Sequence, residues 1–335
     1  MALLSINSLK KYFPVKKGFM TEPLWVKAVD SIDFSLEEDR VFALVGESGC
    51  GKSTVARLVL RLITPTSGKV MFEDKDVFSL EGDSLKAFRK SVQIVFQDPF
   101  ASLNPRMTVF DAISEPLRIH RIVKKHHMKD SVVELLAKVG LSPDIMNRYP
   151  HEFSGGQRQR ICIARALAVS PEVIVADEPL SALDVSIQAQ ILNLLQELKK
   201  ESKISFLFIS HDLKVVHYFS DKIGVMYLGK IVEHAKTEDL FRKPLHPYTE
   251  LLLTSAPKIK YSNKVKDKDS SLLTRHSSLI SDIGEVPSPI DIPAGCPFHP
   301  RCPKKFEPCD KVVPVLKQVQ GQETDSRLVA CHLIK

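Results

Sequence analysis

A glycine-rich segment, GESGCGKST at 46–54, follows the apolar run VFALV and precedes a run with helical periodicity. Its core, Gly46-x4-Gly51-Lys52-Ser53, matches the phosphate-binding pattern GxxxxGK[ST]. The glycines let backbone N–H groups point at phosphate oxygens, and the following helix adds its positive N-terminal end. The strand and helix on either side favour this reading over a plain glycine-rich turn. The residues predicted to contact nucleotide here are Gly46, Glu47, Ser48, Gly49, Cys50, Gly51, Lys52, Ser53 and Thr54.

A second chemical group, Asp177 and Glu178, ends the apolar run VIVA at 173–176. A carboxylate at the end of a buried strand beside a phosphate loop is suited to hold Mg²⁺, which we assign to Asp177 together with Ser53. Glu178 is then placed to polarise an attacking water. The alternative is an acidic helix N-cap, which the nearby phosphate loop makes the weaker reading.

The segment FSGGQRQR at 153–160 places small residues at the start of a helical pattern. Small residues there allow backbone N–H groups and the helix dipole to meet an anion at close range. The predicted anion-contacting residues are Ser154, Gly155, Gly156 and Gln157.

Buried-strand patterns alternate with helices around these groups. VFALV, VIVA and ISFLFIS at 204–210 read as central strands, and a helix is expected from about Val185. This alternation predicts an α/β fold with a largely parallel sheet. Residues 98–170 are mostly helical in pattern, and after about residue 244 the content of Pro, Lys, Ser and Cys rises.

The composition is that of an ordinary globular protein. The chain has 335 residues, 44% hydrophobic and 26% charged, which excludes a collagen-like, fully disordered or small disulfide-rich protein. No apolar run reaches the roughly 18 residues that span a bilayer, and the start, MALLSINSLKK, predicts no signal peptide. The net charge of +7 leaves two readings open, a solvated basic face or an anionic partner.

Four of the six cysteines, Cys296, Cys302, Cys309 and Cys331, lie in the last forty residues. In a protein expected to be intracellular, such a group indicates metal more than disulfides. The gaps of five, six and twenty-one residues are wider than the spacing of a zinc ribbon, and they suit a [4Fe–4S] cluster at least as well. Iron–sulfur, zinc, and disulfide or free thiols all stay open on spacing alone.

Taken in order, the motifs resemble those of the ATP-binding cassette (ABC) ATPases. FSGGQ resembles the LSGGQ signature, with Phe153 in the first position. Gln97 in VFQDP matches the Q-loop, SALD at 181–184 the D-loop with Asp184, and His211 in FISHD the switch histidine. Tyr12 stands where the family places an aromatic that stacks on adenine, with neighbouring Phe13 as an alternative. Asp39-Arg40 departs from the usual Gly-Glu, away from the nucleotide motifs.

The resemblance implies a P-loop ABC cassette over residues 1–244, with a RecA-like core, a β-subdomain and a helical subdomain at about 98–165. The implied cofactors are ATP and Mg²⁺, with Gln97 joining Ser53 and Asp177 at the metal. It implies catalytic roles for Glu178, His211 and Gln97. Two cassettes would enclose two ATP molecules, so the signature acts in trans.

Two later segments resemble the oligopeptide and dipeptide importers. They are HPYTELLLTSAP at 246–257 and PAGCPFHPRCP at 293–303, and they define an irregular extension over 245–335. LKKYFPVKKG resembles the start of the second ATPase of the pair in such importers. The resemblance implies a [4Fe–4S] cluster on the four tail cysteines.

The same resemblance implies a peripheral subunit at the cytoplasmic face of the cell membrane that drives peptide uptake. Its partners would be a second related ATPase, two integral permease subunits and an extracytoplasmic substrate-binding protein, with no nucleic acid. Related importers carry nickel or oligosaccharides, so the cargo stays open. A soluble ABC ATPase acting on DNA or ribosomes is the weaker alternative, because the chain lacks the long coiled coil or second cassette of those classes.

Overall fold

The structure is a computed structural model that describes residues 2–15, 23–255, 284–319 and 327–334. Two β-sheets pack against one another, and helices cover the rest of the larger sheet. Apolar runs that the sequence marks as central strands are buried along their whole length, as expected for strands covered on both faces.

The larger sheet contains eight strands and carries the nucleotide motifs at the ends of its parallel strands. Five strands that reach one edge of the sheet pair in parallel. The three strands at the opposite edge are joined to them, and to each other, by antiparallel pairing. The order across the sheet is β11 (Lys317–Gln318), β12 (Leu328–Val329), β10 (Lys230–Lys236), β9 (Lys222–Tyr227), β3 (Val41–Val45), β8 (Ser205–Ile209), β7 (Val173–Asp177) and β6 (Val92–Val95).

The smaller sheet is antiparallel and contains the first strands of the chain. Its long hairpin has several register shifts, including one between Lys11 and Tyr12. The order is β2 (Leu24–Glu37), β1 (Ala2–Val15), β4 (Ser67–Phe72) and β5 (Lys75–Asp76). Phe34 of this sheet stacks on Phe42 of the larger sheet with ring centroids 4.5 Å apart, so apolar packing joins the two layers.

The helices fall into a group that flanks the large sheet and a separate bundle. The first group contains α1 (Lys52–Val59), α2 (Gly82–Ser91), α7 (Val185–Ser202), α8 (Leu213–Phe219), α9 (Thr237–Arg242) and α10 (Pro247–Ser255). The bundle contains α3 (Pro99–Ser102), α4 (Val109–Ile119), α5 (Met128–Lys138) and α6 (Gly155–Leu167). The bundle agrees with the helical segment that the sequence predicts, and the whole arrangement is the expected P-loop α/β architecture.

The tail returns to the body of the protein. Strand β12 pairs with β10 and extends the large sheet, while Tyr248 of α10 and Phe298 are almost completely buried. Residues on both sides of position 244 belong to one apolar cluster, so the tail packs into the same core as the large sheet. Across the described ranges, every helix is too short or too polar to cross a bilayer.

Candidate functional site

The phosphate loop begins where β3 ends, and two glycines are required by its shape. Gly46 has φ 153° and Gly51 has φ 111°, conformations that L side chains rarely adopt. A Cβ on Gly46 would lie 2.1 Å from the Met226 carbonyl oxygen, and one on Gly51 would lie 2.0 Å from that of Ala28. Close backbone approach thus accounts for both glycines of the motif.

Lys52 is buried at the start of α1 and its ammonium points into the loop. It donates to the carbonyl oxygens of Gly46 at 2.8 Å and Glu47 at 3.0 Å. A flexible lysine with three donors can exchange these carbonyls for phosphate oxygens when nucleotide binds.

Ser53 and Asp177 meet at the end of strand β7, as predicted from residues 124 positions apart. The Ser53 hydroxyl donates to Asp177 Oδ1 at 3.0 Å. Burial raises the pKa of the Asp177 carboxyl, and the charge of adjacent Glu178 adds to the rise. A hydroxyl and a buried carboxylate are hard oxygen ligands, so the pair fits Mg²⁺, whose charge would offset the cost of burying Asp177.

Glu178 is held by the two other predicted catalytic residues. Its Oε2 accepts from Gln97 Nε2 at 3.2 Å and lies 3.1 Å from His211 Nδ1. Its backbone is left-handed, with φ 46°, and its N–H donates to the Ile209 carbonyl at 2.9 Å. A non-glycine residue in this conformation stores strain, which is commonly found at active sites.

Apart from Asp177, which is not among the lining residues, these groups share one cavity of about 490 Å³. The predicted residues that line it are Ser48, Gly49, Gly51, Lys52, Ser53, Thr54, Gln97, Glu178 and His211. Val26, Ala28 and Pro289 also line it and were not predicted, because single apolar residues in a hairpin and a proline in a loop carry no motif.

Tyr12 is placed differently from the prediction. It is not among the residues lining the cavity; its hydroxyl donates to Asp30 at 2.5 Å, and burial with this bond raises its pKa to about 12. Phe13 instead pairs in register with Val26, a cavity residue, and is 37% exposed. The shift between Lys11 and Tyr12 sets this register, and Phe13, like Tyr12, is not itself among the lining residues, so the adenine-stacking role of either residue stays a prediction.

The signature segment caps α6 away from this cavity. The Ser154 hydroxyl accepts from the Gln157 N–H at 3.4 Å, and the Gln157 amide oxygen accepts from the Ser154 N–H at 3.1 Å. This reciprocal capping fixes the helix start. None of Ser154, Gly155, Gly156 and Gln157 lines the cavity, and Asp184 is exposed at the start of α7.

The four tail cysteines line a second, small cavity, and all four are free thiols. Burial raises the pKa of Cys296 to about 11, and the charges of the other three thiolates add to the rise. Burial also raises the pKa of Cys302 and Cys331. Within the described ranges, however, no group of three or more His, Cys, Asp or Glu side chains is arranged to hold a metal ion. The predicted iron–sulfur and metal-binding character therefore gains no support from that geometry.

Comparison with known proteins matches both halves of the sequence. Residues 29–181 match the ABC transporter family, and residues 232–309 match the family described as oligopeptide/dipeptide transporter, C-terminal region. The oligopeptide transport ATP-binding protein AppF of Bacillus subtilis (strain 168) is 48% identical over 99% of this chain and 97% of its own length. The dipeptide transport ATP-binding protein DppF of Escherichia coli (strain K12) is 44% identical over 99% and 94%.

A solved structure has the same fold. The dimeric post-hydrolysis state of the ATP-binding cassette MJ0796, bound to ADP and Pi, is 26% identical with a TM-score of 0.62. It covers 70% of this chain and 98% of its own.

Proposed function

Because this chain belongs to the ABC transporter ATP-binding proteins of the oligopeptide and dipeptide type, we propose that it hydrolyses ATP to drive peptide uptake through a membrane complex. One observation carries the chemistry. Glu178, bonded to Gln97 and next to His211, directly follows the carboxylate that meets Ser53 of the phosphate loop.

Each residue then has a role set by its position. Lys52 and the loop N–H groups bind the β- and γ-phosphates, while Ser53, Asp177 and Gln97 are the residues that would hold Mg²⁺. When bound, Mg²⁺ neutralises charge that develops on the phosphates. Glu178 orients the attacking water and accepts its proton, and His211 and Gln97 keep the carboxylate aimed at the γ-phosphate side.

The site is completed by a second cassette. The signature residues cap α6 outside the cavity, which fits a role in contacting nucleotide held by the phosphate loop of another subunit. The dimeric cassette among the solved relatives supports this arrangement. We assign the partner as a second, related ATPase, with Asp184 at the contact, and the closed dimer as the state that ATP favours.

The cargo assignment is a peptide, supported by the relatives that are oligopeptide and dipeptide transport ATP-binding proteins and by the match of the tail. Two permease subunits and an extracytoplasmic binding protein complete the proposed complex, with this subunit peripheral at the cytoplasmic face. The test is transport of labelled di- and oligopeptides into vesicles that contain the complex, with Glu178→Gln as the inactive control. Uptake of nickel or oligosaccharides instead would overturn the cargo. Copurification with ribosomes or DNA, without membrane subunits, would overturn the transporter role.

We also propose that the four-cysteine cavity holds a [4Fe–4S] cluster. All four thiols line it, and burial raises the pKa of Cys296, Cys302 and Cys331, so their thiolates would need a positively charged metal to be stable there. In such a cluster each thiolate binds a different iron, so the sulfurs lie farther apart than around a single ion. Anaerobically purified protein should then be brown and contain about four iron and four sulfide per chain. Stoichiometric zinc without iron would replace the assignment, and no metal at all would remove it.

A further inference from the structure

We propose that Arg301, in the cysteine-bearing tail, is a positioning residue for the phosphate loop and neutralises a carboxylate within it. The inference rests on the ATP site proposed above. Arg301 Nη1 donates to Glu47 Oε2 at 2.8 Å, and Nη2 donates to Oε1 at 3.0 Å, across a sequence separation of 254 residues. Two parallel bonds between a guanidinium and a carboxylate fix orientation as well as distance.

The surroundings of Arg301 favour a fixed geometry. Its side chain is only 9% exposed, and its guanidinium carbon lies 5.9 Å from the ring centroids of both Tyr227 and Phe298. Its Nη1 also lies 3.5 Å from the Tyr227 hydroxyl. An ion pair sheltered in this way is screened less by water than a surface pair.

Glu47 is held on its backbone as well. Its N–H donates to the Tyr248 hydroxyl at 2.9 Å, while its carbonyl accepts from Lys52 at 3.0 Å. Tyr248 belongs to α10, so two residues from beyond residue 244 hold the second position of the phosphate loop. Since Lys52 donates to the carbonyl of Glu47, a shift of Glu47 would also displace the ammonium that is proposed to bind phosphate.

Charge explains why the pairing matters for nucleotide. Glu47 places a negative side chain in the loop that has to accept a triphosphate, and an unpaired carboxylate would repel it. Arg301 removes that net charge. Replacing Arg301 therefore should weaken ATP binding, whereas Glu178, Gln97 and His211 stay in place.

Arg301 lies in the turn between Cys296 and Cys302, the first two cysteines of the second cavity. The Cys296 N–H donates to the Cys309 carbonyl at 2.8 Å, and the Cys302 N–H donates to the His299 carbonyl at 3.2 Å. These bonds hold the turn that carries the guanidinium. The cysteine cavity and the phosphate loop are thus adjacent parts of one packed structure.

The experiment is a fluorescence titration of the purified full-length chain with an N-methylanthraniloyl-labelled ATP plus Mg²⁺. Arg301→Met keeps the volume of the buried stem but removes the charge, and it should raise the Kd about tenfold, the scale of a charge-assisted contact. Arg301→Lys keeps a positive charge but loses the two parallel donors of the guanidinium, so its Kd should lie between those of the wild type and Arg301→Met. In ATPase assays with the partner subunits, KM should rise while kcat changes little.

The control is Lys304→Ala, which breaks an exposed pair with Glu250 in the same tail segment and should leave the Kd unchanged. A double-mutant cycle isolates the charge effect: in a Glu47→Gln background, Arg301→Met should no longer raise the Kd. A thermal melt shows whether each variant is folded. If Arg301→Met is not folded, the Kd of Arg301→Lys decides whether the proposal holds.

The outcomes separate the two proposals. If the wild-type chain binds no nucleotide, the proposed function fails and the inference fails with it. If the wild type binds and Arg301→Met binds equally well, only the inference fails. If Arg301→Met weakens binding to the same degree with Glu47 or Gln at position 47, charge neutralisation is wrong.

Discussion

Individual residues at the end of β7 decide the chemistry. Asp177 and Glu178 are adjacent, yet one contacts the phosphate-loop serine and the other contacts Gln97 and His211. Glu178 has a left-handed backbone and directly follows the last residue of β7, which is Asp177. This division fits the proposed roles, a metal-binding carboxylate on Asp177 and a proton-accepting carboxylate on Glu178.

Glu178→Gln should keep ATP binding and lower hydrolysis by roughly 10²-fold or more, the scale of lost general-base catalysis. Phosphate release and the amount of ATP-trapped dimer on gel filtration are the measurements. Lys52→Ala provides the contrast, because it should weaken nucleotide binding itself. Near-normal turnover in Glu178→Gln would remove Glu178 from the proposed role.

The register of the first hairpin makes a separate prediction about adenine. Phe13→Ala should raise the Kd for ATP roughly tenfold, since stacking of an aromatic ring on a base contributes about 1–3 kcal/mol. Tyr12→Phe is the matched control, because it removes only the hydroxyl bonded to Asp30. Tyr12→Ala should raise the Kd much less than Phe13→Ala, and a larger rise in Tyr12→Ala would restore Tyr12 as the stacking residue.

At the scale of elements, the short helix α3 and its C-cap carry two neighbouring apolar residues with opposite environments. Phe100 is 59% exposed, with the Arg158 guanidinium 3.7 Å from its ring centroid, whereas Leu103 is 2% exposed. We expect segment 97–109, which joins Gln97 to the helical bundle, to form part of a groove for a short cytoplasmic helix of the permease, with both residues as candidate contacts. Burial instead assigns Leu103 to the core and leaves Phe100 for docking.

Phe100→Ala should therefore uncouple peptide transport while basal ATPase activity stays near wild type. Leu103→Ala should lower the free energy of unfolding by roughly 2–5 kcal/mol through loss of packing. Paired transport and ATPase assays, together with urea unfolding, distinguish the two. Equal loss of transport and ATPase activity in Phe100→Ala would indicate a folding role there too.

The elements around the site were largely predictable, and their long-range side-chain pairs were not. Buried strands followed by Gly or Asp predicted that Ser53 and Asp177 would meet, because parallel strands end at the same edge of a sheet. The pair of Glu47 and Arg301 leaves no periodic pattern in the sequence. The sequence names Tyr12 with Phe13 as the alternative, and only the register between two strands places Phe13 opposite Val26, which lines the cavity.

At the scale of the whole molecule, a buried ion pair joins the tail to the cassette. Arg327 and Glu233 are 4% and 0% exposed and lie 2.7 Å apart, beside the pairing of β12 with β10. Glu233 also accepts from the N–H groups of Leu245 and His246. The carboxylate thus connects the large sheet, the start of α10 and the returning tail.

Arg327→Met should lower the free energy of unfolding by about 3–5 kcal/mol, because it leaves Glu233 buried without its partner. Lys311→Ala is the control, since it breaks an exposed tail pair with Glu307 and should change stability by no more than about 1 kcal/mol. Urea unfolding followed by circular dichroism measures both. A loss below about 1 kcal/mol in Arg327→Met would show that the tail is joined to the cassette mainly by other contacts.

The ion pair between Glu47 and Arg301 also has a consequence for biosynthesis. Domains generally fold from the N-terminus as the chain emerges from the ribosome, so Glu47 emerges long before Arg301. A ribosome-bound chain can form both sheets' early strands, yet its phosphate loop keeps an unpaired carboxylate until the tail arrives. We expect ribosome-stalled chains that expose the cassette without Arg301 to bind labelled ATP more weakly than chains that expose both. The chain would then reach its full affinity for ATP only near the end of its synthesis. Equal affinity of the stalled chains with and without Arg301 would contradict this expectation.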